Sequence, residues 1–124
     1  PPTIKKKYTK EHVLLLVFIY YFKNILSIND IKSLLDPLTD KYFDSSNKIS
    51  LEDIYKNIFD LKKEQLDIFK DDIMASLNRS TELFENADEL DKEFLQTFAF
   101  ICMLSFDVYM KKQIIEQIID DITK

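Results

Sequence analysis

The sequence has no glycine, one cysteine, one histidine and three prolines in 124 residues, and these shortages exclude more than the rest of the composition does. Phosphate-cradling loops and dinucleotide turns need glycine, because backbone must approach the ligand closely at φ > 0. Neither can be built here. Tight two-residue hairpins lose their usual residue as well, which argues against a sheet-rich fold. Chain reversals fall to Asn, Asp and Ser, and Asn24, Asn47, Asn78 and Asn86 stand where helices are expected to stop or start. The lone Cys102 excludes an internal disulfide and fits a reducing compartment. Between Ile101 and Met103 it reads as a small core hydrophobe. His12 has no second histidine with which to hold a metal and is expected on the surface at the first turn of a helix. The ten-residue run Val13 to Phe22 is too short for a bilayer, which takes about 20 apolar residues. With no secretory apolar region and no long apolar segment elsewhere, a cytoplasmic protein is the expectation.

Charge is present in quantity but unevenly placed. The net charge is −5, yet residues 1–12 carry Lys5, Lys6, Lys7 and Lys10 against Glu11 alone, a local +3 that leaves −8 for residues 13–124. A basic leader on an acidic body points any contact with nucleic acid to that end. Glu52-Asp53, Asp71-Asp72 and Asp120-Asp121 are neighbours in sequence. On a helix such neighbours diverge by about 100° and do not converge on one ion. The segment Phe43 to Asp53 echoes a calcium-binding helix–loop–helix, but it lacks the glycine and the register of such a loop, and Lys48 puts a cation where oxygen is needed. No nucleophile, metal cluster or phosphate loop survives, so the expectation is no enzyme and no cofactor.

Periodicity then orders the chain. Pro1-Pro2 opens it without an initiator methionine, as a fragment or processed form would, and residues 1–7 are expected to be extended. Thr9 caps a first helix, about Lys10 to Ile25, whose Val13–Phe22 run is apolar all round and is therefore expected to be a buried core helix. Ser27, with Asp30 three residues on, opens a second from Ile28 to Leu35, which stops before Pro37. A short third, Leu38 to Phe43, is followed by the polar loop Asp44 to Lys48.

Ser50 and Asp53 cap a long fourth helix reaching Leu83 or Phe84, with Lys62 interrupting its stripe and a break near Asn78. A cap at Asn86-Ala87-Asp88 starts the last helix, which runs to Ile122. Its stripe is Leu90, Phe94, Phe98, Ile101, Ser105, Val108, Lys112, Ile115, Ile119 and Ile122. Apolar residues on its other faces between Phe94 and Met110 predict enclosure by neighbouring helices. The expected fold class is all-α, a bundle of about five helices with two long C-terminal ones. Two long helices of this kind carry more apolar surface than a small bundle covers. A homodimer across the last helix is expected, with Phe98, Cys102, Phe106 and Tyr109 as candidate interface residues.

Lys7-Tyr8, then Val13, Leu16, Ile19, Phe22 and Lys23, then Ser27-Ile28, Ile31 and Leu34-Leu35 together resemble the second half of a MerR-type winged helix-turn-helix. The whole chain resembles a bacterial family of MerR-like proteins known only as a domain of unknown function. The resemblance implies that residues 1–36 are the end of the wing and the two core helices. Residues 37–124 are then an effector and dimerisation region packed on them as one compact unit. It also implies that Lys5, Lys6, Lys7 and Tyr8 are wing residues touching DNA phosphates, with the major-groove helices upstream of Pro1; read from its own chemistry, Tyr8 equally suits a ring packed against the first helix. The implied role is transcription regulation through duplex DNA; the alternative is a helical protein–protein interaction module without DNA binding. Phosphate contacts of this kind position a protein without specifying sequence.

Overall fold

The computed structural model describes residues 9–43 and 47–123. Among them are five α-helices and no strand: α1 (Lys10–Phe22), α2 (Ile28–Tyr42), α3 (Leu51–Asp60), α4 (Lys62–Ser80) and α5 (Glu89–Ile122). The chain is all-α, as glycine-free helical periodicity requires. α1 ends at Phe22, three residues before the expected Ile25, and two larger differences from the sequence reading each have a physical cause.

The first is Pro37, which lies inside α2 instead of ending a helix. Proline withholds the bond its amide would give to Ser33, at a cost of about 3 kcal/mol. The helix continues because Ile31, Leu34, Leu35 and Leu38 keep one apolar face through the proline, with Leu35 buried and the other three half-buried. The Thr39 hydroxyl, donating to the Leu35 carbonyl at 3.1 Å, ties the two sides together. The second is Leu61. The expected single helix from Leu51 onward is two, parted at this residue just before the Lys62 that interrupts the stripe, and α4 then ends at Ser80. The turn that follows holds Phe84 at φ 59°, the left-handed region that glycine normally supplies.

The helix starts follow the caps read from sequence. Ser27 Oγ accepts from the Asp30 amide at 3.1 Å. Ser50 and Asp53 bond reciprocally, each backbone amide to the other's side chain at 3.0 Å, which satisfies two donors that a helix start leaves open. At α1 the box is closed by a histidine: the His12 amide donates to Thr9 Oγ1, and His12 Nδ1 accepts from the Thr9 amide at 3.3 Å. His12 is exposed, as expected, and its ring also meets Phe43 edge-on at 4.9 Å.

Two compact units result. One comprises the residues up to Asp60 together with those from Ile115 onward; the other is Leu61–Ile114. Residue 36, where the wing and core helices were expected to give way to the effector region, lies inside α2.

The first unit has a core, and it is smaller than the sequence predicts. In α1 only Leu14 and Phe18 are buried; Val13, Leu16, Tyr20 and Tyr21 are exposed, so the run is not enclosed on every side. Phe18 is its centre, with ring centroids 5.8 Å from Phe59, 6.3 Å from Tyr55 and 6.4 Å from Phe22. Leu51, at 1% exposure the best-covered hydrophobe, sits at the start of α3, and Leu26, Leu35 and Ile119 complete the buried set.

An ion pair closes the edge of this core. Lys10 Nζ lies 2.8 Å and Lys56 Nζ 3.3 Å from Glu52 Oε1. Lys10 foremost, then Lys56, holds the Glu52 carboxyl below its ordinary value of 4.5. The Ser50 amide, then its hydroxyl, does the same for Asp53, whose ordinary value is 3.8. A lowered folded-state pKa gives stability that is complete above the ordinary value and is lost as pH falls through the lowered one. Urea midpoints should therefore stay level from pH 7 to about 5 and fall below about pH 4. A Glu52→Gln/Asp53→Asn variant should lose part of that slope; an unchanged slope would remove these two groups as its cause.

Candidate functional site

The second unit has almost no interior. Across residues 61–114 the one buried residue is Ser80, and every large hydrophobe is exposed or half-buried. This corrects the expectation that α5 is enclosed between Phe94 and Met110. Phe94 and Phe98 are 66% and 55% exposed, and Ile101, Phe106, Val108, Tyr109 and Met110 are also more exposed than not. Cys102, read as a core hydrophobe, is only half-buried. The periodic pattern predicted an apolar stripe correctly, but not that the stripe is left exposed.

At about 100° per residue, Phe98, Cys102, Phe106 and Tyr109 fall on one face of α5 within a quarter-turn of each other. Phe94 and Phe98 stack with centroids 6.0 Å apart. Next along the helix is a shallow open groove of about 390 Å³ lined by Ile101, Leu104, Ser105, Val108, Tyr109 and Lys112. Of the four candidate interface residues only Tyr109 lines it. Ile101, Ser105, Val108 and Lys112 belong to the stripe read from sequence, but the candidate interface list took the larger side chains on its flank, and the small Ser105 side chain is what opens the groove.

The loop before α5 is fixed to this helix. Gln96 Nε2 donates to the carbonyls of Thr81, at 3.0 Å, and Leu83, at 2.9 Å, so the turn carrying Phe84 is held by two bonds from one side chain. Charge along α5 runs from acidic to basic and back to acidic, ending in Glu116, Asp120 and Asp121. Glu89, Asp91 and Glu93, with Lys92 among them, open it, whereas Lys111 and Lys112 lie beyond its midpoint and Lys111 pairs with Asp107 at 3.3 Å.

The other candidates read from sequence, Lys5, Lys6, Lys7 and Tyr8, lie outside the described residues. So do Asp44, Ser45 and Ser46 of the polar loop. Among the described residues no group of three or more His, Cys, Asp or Glu side chains is placed to hold a metal ion.

Residues 1–58 match the family described as a domain of unknown function, DUF1836. The matched segment takes in α1, α2 and most of α3, which carry most of the first unit's core, and stops short of Phe59, α4 and α5. It supports similarity to that uncharacterised family and goes no further. No curated protein and no solved structure matches the chain.

One further property of α5 differs from the sequence reading, which found no long apolar segment. This 34-residue helix contains an 18-residue window of mean hydropathy 1.2 with at most two charged residues. By length and composition alone, one helix among the described residues could cross a membrane. The open apolar face of α5 is the property that any function must account for.

Proposed function

We propose that this chain is the core and dimerisation part of a MerR-like, DNA-binding transcriptional regulator that acts in the cytoplasm as a homodimer. The observation that supports the reading is the pair α1–α2 following a lysine-rich leader in the sequence. Both helices start at the caps read from the sequence, Thr9 and Ser27, the second of them part of the resemblance; both lie within the segment that matches DUF1836, and Lys5, Lys6, Lys7 and Tyr8 stand immediately before them in the sequence. Lysines on such a segment suit a polyanion, because each phosphate they neutralise releases counterions.

The chain alone then binds duplex DNA weakly, without sequence preference and with steep salt dependence. Fluorescence anisotropy with two unrelated duplexes is the direct measurement. Equal affinities for both, and their loss on reversing Lys5, Lys6 and Lys7 to glutamate, are the expected results. Tight binding confined to one sequence would show that the recognition element has been misplaced, and binding indifferent to the three reversals would remove the leader from the interface.

A second reading, a helical interaction module without DNA binding, is favoured by the second unit, where no hydrophobe is buried. Exposed apolar faces of this extent mark association surfaces in soluble proteins. Under that reading the lysine reversals leave the cellular function of the parent protein intact.

A further inference from the structure

We infer that α5 pairs with a second copy of itself in antiparallel orientation, the Phe94 and Phe98 rings of each copy seating in the Ile101–Lys112 groove of the other. The inference rests on the homodimer reading above and adds its direction and register.

The geometry comes from spacing and shape together. Phe94, Phe98, Ile101, Ser105, Val108 and Lys112 alternate steps of four and three residues, a 3.5-residue period that keeps one seam facing a partner helix. In such a seam each knob enters a hole made by residues i, i+3, i+4 and i+7 of the facing helix. The groove is two such holes in succession: Ile101, Leu104, Ser105 and Val108 form the first, and Ser105, Val108, Tyr109 and Lys112 the second. The shared Ser105 makes both roomy. Two exposed phenyl rings four residues apart, Phe94 and Phe98, are knobs of matching number and spacing.

A single α5 cannot fill its own groove with its own rings. Parallel pairing in register would set Phe98 against Phe98 and Ser105 against Ser105, large on large and small on small. Antiparallel pairing sets large on small for both copies at once, as a two-fold interface requires.

Charge favours the same direction. Antiparallel chains bring the acidic opening of α5, with Glu89, Asp91 and Glu93, toward Lys111 and Lys112 of the second copy. Parallel chains would place acid beside acid and lysine beside lysine, and like charges across an interface are unfavourable. Midway between the ring pair and the groove, the two-fold axis passes close to Ile101 and Cys102.

The distance between two spin labels decides it. With Cys102→Ser as background, a nitroxide on Glu93→Cys lies about eight residues from the axis on each chain. At 1.5 Å per residue an antiparallel pair holds the two labels about 25 Å apart, whereas a parallel pair holds them roughly at the helix separation of about 10 Å. A population near 25 Å supports the inference. A short distance overturns it while leaving the homodimer standing, and a chain that is monomeric by light scattering, or that partitions into lipid vesicles, overturns both. Ser105→Phe is the second variant: its side chain is exposed, so helicity should be retained, while the filled groove weakens self-association at least about tenfold. An unchanged dimer in that variant would also overturn the proposed seating.

Discussion

Replacing Phe18 by alanine is expected to cost about 3–5 kcal/mol, the usual range for a buried phenylalanine, and so to remove much of the stability of a domain that has about 5–15 in total. The size follows from position. Phe18 is 6% exposed and meets three aromatic rings, Phe22 on its own helix and Tyr55 and Phe59 on α3. Tyr55 and Phe59 also pack on each other, centroids 4.5 Å apart, so the void left by the truncation is bordered by rings that cannot collapse into it without losing that contact. Leu16, two residues away and exposed, is the control, and Leu16→Ala should cost under about 1 kcal/mol, as surface substitutions do. Urea unfolding followed by circular dichroism at one fixed protein concentration measures both, since a dimer's apparent stability depends on concentration. Equal costs for the two variants would mean that α1 is covered on the Leu16 side as well, and that Phe18 is not its anchor.

Replacing Pro37 by alanine should do the opposite and stabilise the chain. Within α2 the proline denies Ser33 its hydrogen bond and crowds the preceding turn, at about 3 kcal/mol relative to alanine. Its rigidity returns about 0.4–1 kcal/mol by restricting the unfolded chain. The net expectation is a gain of about 2 kcal/mol, read as a higher urea midpoint with an unchanged slope. Pro37 is exposed, so its removal opens no cavity to offset the gain. A loss of stability in Pro37→Ala would show that the helix needs a bend at this point to present Leu35 and Leu38 to the core.

These two substitutions mark where local and global information part. Periodicity weights Val13, Leu16 and Phe18 alike, because all are apolar members of one run, and only the position of α3 separates the anchor from its neighbours. Pro37 is a stop signal in local terms, and the burial of Leu35 overrides it. The Leu61 break was half legible, since Lys62 marks the irregularity without saying that the chain would divide there. The candidate surface was legible as a stripe. Its groove was not, because Ser105 contributes to shape and not to hydrophobicity.

By itself, then, the sequence determined the fold class, the caps at Thr9, Ser27 and Ser50, and the apolar seam of α5. Each of these depends on residues within one or two helical turns, where the absence of glycine and the 3–4 spacing act directly. Tertiary structure decided which apolar residues are covered, that α2 runs through its proline, and that 61–114 is left without a core. Burial depends on what lies on the far side of a face, and that is settled by residues distant in sequence or, for α5 under the pairing proposed above, by a second chain.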